Sequence, residues 1–293
     1  MADATATVIP ATARPGRRRR ARVPPTIIVC VVIFVSLVLL GLFAPYISAF
    51  DPARQDLRGR LAAPSYTWDG VTHPLGTDHL GRDVFSRVLH ALRTSLGIAM
   101  VGTLVGATFG TLLGLLSGMA GGRVDQVIMF LVDVQIALPF VLLALVAIAV
   151  FGTNIVVLVV VIGLAGWDTY ARMVRGQVLS AKQLPYVDAS RALGGSPLRL
   201  AFRHVLPNVG TPIIVLASFN FTSIILLESA LSFLGLGVQP PAVSLGLLIS
   251  TGREYLLTAW WIAAFPSFAL VLITMTVGLI SDWLRDRFDP RTG

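Results

Sequence analysis

Six apolar runs divide the chain, and the polar stretches between them carry most of its charge. The first covers residues 26–46 and the second 95–117. No residue between positions 134 and 167 is charged. One straight helix over those positions would be about 51 Å long at 1.5 Å per residue, too long for a single crossing of a ~30 Å hydrocarbon core. Gly152-Thr153-Asn154 is the natural break, which predicts spans near 127–150 and 155–177, the former kinked by Pro139. A fifth span is expected over 209–230, closed by Glu228, before Gly235, Gly237, Pro240 and Pro241 break the helix. Residues 242–258 then form an external or re-entrant segment. The sixth span covers 259–280, with Trp260 and Trp261 as interface anchors. The pattern predicts an all-α membrane protein with six transmembrane helices.

The polar segments refine this picture. Residues 1–25 are rich in Ala, Thr, Pro and Arg and bury nothing, so a disordered basic cytosolic tail is expected. The run at 26–46 exceeds the 7–15 residues of a signal-peptide core, which favours a retained first transmembrane helix. Residues 47–94 read as an external loop. Thr77 or Asp78 offers an N-cap there, and Val84, Val88, Leu89 and Leu92 form an apolar stripe, so an interfacial amphipathic helix is expected. His73, His79 and His90 lie six and eleven residues apart, which is not a zinc spacing. A core of five spans covers 95–282 and a cytosolic tail 283–293. In the second span Gly102, Gly106, Gly110, Gly114 and Gly118 recur at every fourth position. Five glycines in register on one helix face predict backbone-close packing against a neighbouring helix.

Composition agrees with a membrane class. The 293 residues are 55% hydrophobic and 13% charged, against about 25% charged in soluble domains. The net charge of +8 rests on 23 basic residues, all arginine except Lys182. With the N-terminus inside, sixteen of them fall in inside segments and seven in outside ones, which predicts N- and C-termini in the cytosol. No basic patch is interleaved with aromatics outside the apolar runs, so no nucleic-acid partner is expected. Cys30 is the single cysteine, excluding an intramolecular disulfide. No phosphate-binding loop is present, because Lys182 lies between Ala181 and Gln183 rather than after a glycine. With no metal cluster or nucleophile motif either, the chain is not expected to be an enzyme and carries no cofactor of its own.

The polar stretch 184–208 lies between the fourth and fifth spans and includes Pro185, Tyr186, Asp188, Ala189, Ser190, Ala192, Leu193, Gly194, Ser196, Pro197, His204, Leu206 and Pro207. Pro185 suits a first helical turn and Gly194 the residue just past a helix end. Ser196 and Pro197 start a second helix. Ala189, Ala192 and Leu193 share one face, where small side chains permit close approach. The order Asp188-Ala189-Ser190, three residues, Gly194, nine residues, His204, one residue, Leu206-Pro207 resembles the EAA loop of ABC-importer permeases. Asp188 stands where that family has Glu, Ser190 where it has Ala and His204 where it has Ile. The run Gly76-Thr77-Asp78, Gly81-Arg82-Asp83, Ser86-Arg87 and the stretch 229–241 resemble the dipeptide/oligopeptide/nickel branch, as does the ending at 282–291. The resemblance covers roughly residues 75–291. It implies a coupling-helix loop at 184–208 that docks on a cytosolic ATPase, a second permease subunit, two ATPase subunits holding ATP and Mg, and an external substrate-binding protein. It also implies a place in the bacterial plasma membrane and di- or oligopeptides as cargo, with nickel or another small solute as the alternative. A stand-alone secondary transporter is the other class; it would be expected to carry charged residues at mid-span, where this chain has few.

Overall fold

The computed structural model describes residues 23–68, 70–185 and 201–288. Ten helices and one hairpin make up the described chain. α1 is Pro25–Leu42 and α2 Ala44–Ile47; β1 is Tyr66–Trp68 and β2 Val71–His73. α3 is Val84–Ala120, α4 Gly122–Ala137, α5 Phe140–Phe151, α6 Ile155–Gly163 and α7 Trp167–Ala181. A π-turn, Ala201–Val205, leads into α8, Leu206–Phe233, followed by α9, Leu245–Gly252, and α10, Trp261–Phe288. Among the described residues, five helical stretches are long and apolar enough to cross a membrane, or six if the bent pair α4 and α5 is one span.

Around α3 the other helices assemble. It is 37 residues long, about 55 Å at 1.5 Å per residue, and contacts α1, α4, α6, α7, α8, α9 and α10. The separate amphipathic helix expected within 47–94 does not exist. Val84, Val88, Leu89 and Leu92 are the buried first turns of α3 itself. Arg93 and Thr94 interrupt the hydrophobicity but contain no helix breaker, so backbone hydrogen bonding runs through them. The helix cap also differs from expectation. Asp83, not Thr77 or Asp78, closes the first turn, its carboxylate accepting from the Ser86 amide at 2.7 Å. The structure is not wholly α either, because β1 and β2 pair antiparallel with Tyr66 opposite His73.

The glycine face of α3 lies on α6, α7 and α8 of the same chain. A Cβ at Gly106 would stand 2.6 Å from the Gly163 carbonyl oxygen. At Gly110 it would stand 2.3 Å from the Trp167 oxygen, at Gly114 2.5 Å from the Ala171 oxygen, and at Gly118 2.7 Å from Val178. Gly102 faces Ile224 of α8 at ordinary contact distance. The absence of side chains brings the two backbones together, so Tyr170, Ala171, Val174 and Val178 are fully buried.

Two breaks shape the middle of the chain. α4 and α5 meet at 95° at Leu138 and Pro139, a far sharper turn than the expected kink. Proline removes a donor and clashes with the preceding turn. The expected break at 152–154 is observed, with Gly152 at φ +83° and the Asn154 side chain accepting from the Val156 amide. A further break, not anticipated, separates α6 from α7 at residues 164–166. Gln135 of α4 donates to the freed Leu164 carbonyl at 2.8 Å, and Trp167 Nε1 donates to the Gln135 oxygen. α8 also outruns its expected end at Ala230, so Glu228 lies inside it rather than closing it.

The α3–α7 contact generates a prediction. Gly110→Val forces a side chain onto the Trp167 carbonyl and is expected to destabilise the purified chain by about 1–3 kcal/mol, as overpacking does. Gly97, whose Cβ would meet nothing within 4 Å, serves as the control. Gly97→Ala is expected to be neutral or stabilising by up to about 1 kcal/mol. Thermal unfolding in mild detergent distinguishes the two.

Candidate functional site

The described chain stops at residue 185, just past the C-terminal end of α7, and resumes at the π-turn. Residues 186–200, with Tyr186, Asp188, Ala189, Ser190, Ala192, Leu193, Gly194, Ser196 and Pro197, lie outside the described residues. His204 falls in the π-turn, and Leu206 and Pro207 begin α8, where a proline in the first turn loses no helical hydrogen bond.

The frame around both attachment points is tightly held. Ala201, Val205 and Val209 are buried against Leu115 of α3 and Val174, Val178 and Ala181 of α7. Lys182 Nζ donates to the Gly118 carbonyl at 2.8 Å and the Met119 carbonyl at 3.0 Å. It thereby satisfies two of the acceptors that the last turn of α3 leaves open, and it puts a positive charge at the negative helix end. Arg175 of α7 grips Asp125 of α4 through Nε at 2.5 Å and Nη2 at 2.6 Å. Ser117 of α3 donates to the same carboxylate. This fork geometry fixes direction as well as distance. Asp133 pairs with Arg172 at 2.7 Å, exposed to solvent or lipid. α3, α4, α7 and the start of α8 are thus one block that holds the residues flanking positions 186–200.

Beside this block, a lateral cavity of about 570 Å³ opens between α7, α8 and α10. Thr169, Gln177, Thr211 and Arg285 supply polar groups, while Met173 and Phe219 are among its apolar walls. The lining thus mixes polar and apolar groups.

At the opposite end of the bundle, the Gly-Thr-Asp and Gly-Arg-Asp run is a knot rather than a chemical centre. Asp78 is 2% exposed and accepts from the Leu80 amide, the Arg82 amide and Arg82 Nε at 2.7–3.0 Å. Arg87 lies 3.5 Å from the same carboxylate and donates to the Pro52 carbonyl. The Thr77 hydroxyl donates to the Gly59 carbonyl and accepts from the Ala62 amide. Gly81 requires its glycine twice over, with φ +71° and a Cβ that would lie 1.7 Å from the Asp56 oxygen. Trp261, expected as an interface anchor, is instead 7% exposed and donates to the Thr77 carbonyl at 3.1 Å; Trp260 is the exposed member of the pair. The three histidines go to separate partners. His73 bonds Asp83 and stacks on Phe50, His90 bonds the Ser86 carbonyl, and His79 stacks on Tyr255 at 5.3 Å. Among the described residues no group of three or more His, Cys, Asp or Glu side chains is placed to hold a metal ion.

A second buried polar centre, absent from the expected sites, lies near the knot. Glu228 of α8 is fully buried and is bonded by Ser95 of α3 at 3.1 Å and Ser232 of α8 at 2.7 Å. The sequence signal for it was present but weak: one acid within a long apolar run.

Five apolar helical stretches long enough to cross a membrane, or six with the bent α4–α5 pair, define a multi-pass membrane protein. The chain belongs to the family described as binding-protein-dependent transport system inner membrane component, which matches residues 110–293. The resemblance to ABC-importer permeases of the dipeptide/oligopeptide/nickel branch is thereby shown. The chain is 38% identical to the di/tripeptide transport system permease protein DppC of Pseudomonas aeruginosa, covering 87% of this chain and 84% of that one. It is 38% identical to the dipeptide transport system permease protein DppC of Escherichia coli strain K12, covering 94% and 90%. It is 36% identical to the probable D,D-dipeptide transport system permease protein DdpC of the same strain, covering 92% and 89%. Among solved structures, the inward-facing MetNI methionine ABC transporter superposes with TM-score 0.54 at 18% identity, over 68% of this chain and 95% of that one. That likeness is one of fold.

The knot yields a pH prediction. Burial, and after it the positive charges of Arg82, Arg87 and Arg60, hold the His79 imidazole below its ordinary pKa of 6.5 against the opposing pull of the Asp78 carboxylate. The unfolded chain therefore binds the proton more readily. The stabilisation is complete above 6.5 and is lost as pH falls through the lowered folded value. His79→Phe keeps the stack on Tyr255 and is expected to remove this part of the acid-side decline in thermal stability. An unchanged pH profile in the variant would count against it.

Proposed function

We propose that this chain is the permease subunit of an ATP-driven ABC importer for short peptides, working with a second, distinct permease. The observation that carries this reading is the identity of 36–38% to di- and tripeptide permeases over nearly the whole chain. ATP and Mg are held by two cytosolic ATPase subunits, and an external binding protein delivers the peptide. Both termini and the segment 184–208 are cytosolic, and the Asp78 knot faces the exterior; the excess of arginine on the first side supports this orientation. The protein resides in the bacterial inner membrane. This chain itself hydrolyses nothing.

The coupling segment acts as a lever on the clamped block of α3, α4, α7 and α8. When ATP closes the ATPases, the lever moves the block and the spans change from inward-open to outward-open. The cavity between α7, α8 and α10 supports a path for peptides, whose polar backbones and varied side chains match its mixed lining.

Affinity purification of the chain from its native membrane in mild detergent tests the reading. A second permease and ATPases are expected to accompany it, and the binding protein is expected to take up peptides rather than nickel. Recovery of the chain alone, still moving solute without ATP, would favour a secondary transporter. Asp188→Ala is expected to reduce co-purified ATPase while leaving the permease pair assembled. Gly194→Pro is expected to abolish substrate-stimulated ATPase without blocking membrane insertion.

A further inference from the structure

The carboxylate of Glu228 ties together three elements that the chain leaves far apart. Its Oε2 accepts from Ser95 of α3, 133 positions away, and its Oε1 accepts from Ser232 of α8. The Ser95 hydroxyl in turn accepts from the Leu245 amide, the first of α9, at 3.1 Å. The Ser232 hydroxyl accepts from Ser244 and from the Val238 amide, both at 3.3 Å. Ser244 also caps α9 through the Leu247 amide. Glycines seal the packing: a Cβ at Gly246 would lie 2.6 Å from Ser229 Cα, and one at Gly237 1.8 Å from Ser232 Oγ. Among the described residues no salt bridge joins Glu228. A buried acid without a counter-ion is costly to place there. What the carboxylate adds is direction, because two oxygens bind two hydroxyls on different helices at once.

α8 runs from the π-turn at its N-terminal end past this centre, and its start at Leu206 lies about 33 Å along the helix from Glu228 at 1.5 Å per residue. We infer that Glu228 is a positioning residue for coupling, a latch that fastens the far end of α8 to α3 and to α9, so that displacement of α8 at the coupling segment is delivered to α9 and the 234–244 loop as one rigid movement. The role rests on the proposed importer function. The latch itself is a property of the chain alone.

Two measurements separate these. In the purified chain, Glu228→Leu is expected to raise amide hydrogen exchange in α9 about tenfold or more, the loss of the two hydrogen bonds that hold Ser95 and Ser232 being sufficient. Glu228→Gln, which keeps the volume and a polar pair, is expected to restore much of the protection. Unchanged exchange in α9 would overturn the latch. In the reconstituted complex with its binding protein, Glu228→Leu is expected to leave assembly and basal ATPase within about twofold while stimulation by the loaded binding protein falls about tenfold. Should Glu228→Leu fail to assemble, Ser95→Ala, which removes only the α3 arm, is expected to lower stimulation in the same direction. Full stimulation in an assembled variant with loosened α9 would overturn the coupling role. A wild-type complex without any stimulation would instead overturn the importer reading, while the exchange measurement would still decide whether the latch exists.

Discussion

The approach of α3 to α7 is the contact on which the rest of the structure depends. Four successive turns of α3 present glycine, and the carbonyls of α7 and Gly163 occupy the space that side chains would take. In a bilayer, lipid tails compete for apolar surface as well as protein does, so tight van der Waals packing replaces the hydrophobic effect as the cohesive term. Because α3 reaches from one end of the molecule to the other, this one contact sets the relative height of both ends. Lys182 then meets the terminal carbonyls of α3, and Arg175 meets Asp125.

Ion pairs hold both ends of the bundle. One end uses Asp125, Arg175 and Lys182 to join helices. The opposite end uses Asp78, Arg82, Arg87 and Asp83 to fold a loop into a rigid cap over the start of α3. Each carboxylate accepts several donors, which is how a buried or half-buried acid is accommodated. Glu228 is the exception in depth, held by hydroxyls alone among the hydrogen bonds described. A permease that works by changing its shape needs rigid parts on either side of its moving joints. The clamped block, the knot and the 28-residue α8 are such parts, while the breaks at 138–139 and 164–166 are where backbone hydrogen bonding is already interrupted.

Much of this was legible in the residues. Hydropathy with a 1.5 Å rise located the membrane-crossing stretches, the stop at 152–154 and the disruption at Pro139, because a bilayer imposes a length and proline removes a donor whatever surrounds them. The every-fourth glycines announced a close helix contact, and the spacing from Asp188 to Pro207 pointed to the family. Partner identity, angle and side-chain destination were not legible, because they depend on residues distant in sequence. Nothing local in Glu228 says that Ser95 will face it, and nothing in Trp261 says that its indole will find the Thr77 carbonyl. Asp83 took the cap because Thr77 and Asp78 were already engaged with Gly59, Ala62, Arg82 and Arg87. The sequence by itself thus determined the class of protein and its apolar periodicity, through constraints that act residue by residue. Only the tertiary structure decided which helices meet and where each buried polar group is satisfied, since those are properties of pairs brought together by folding.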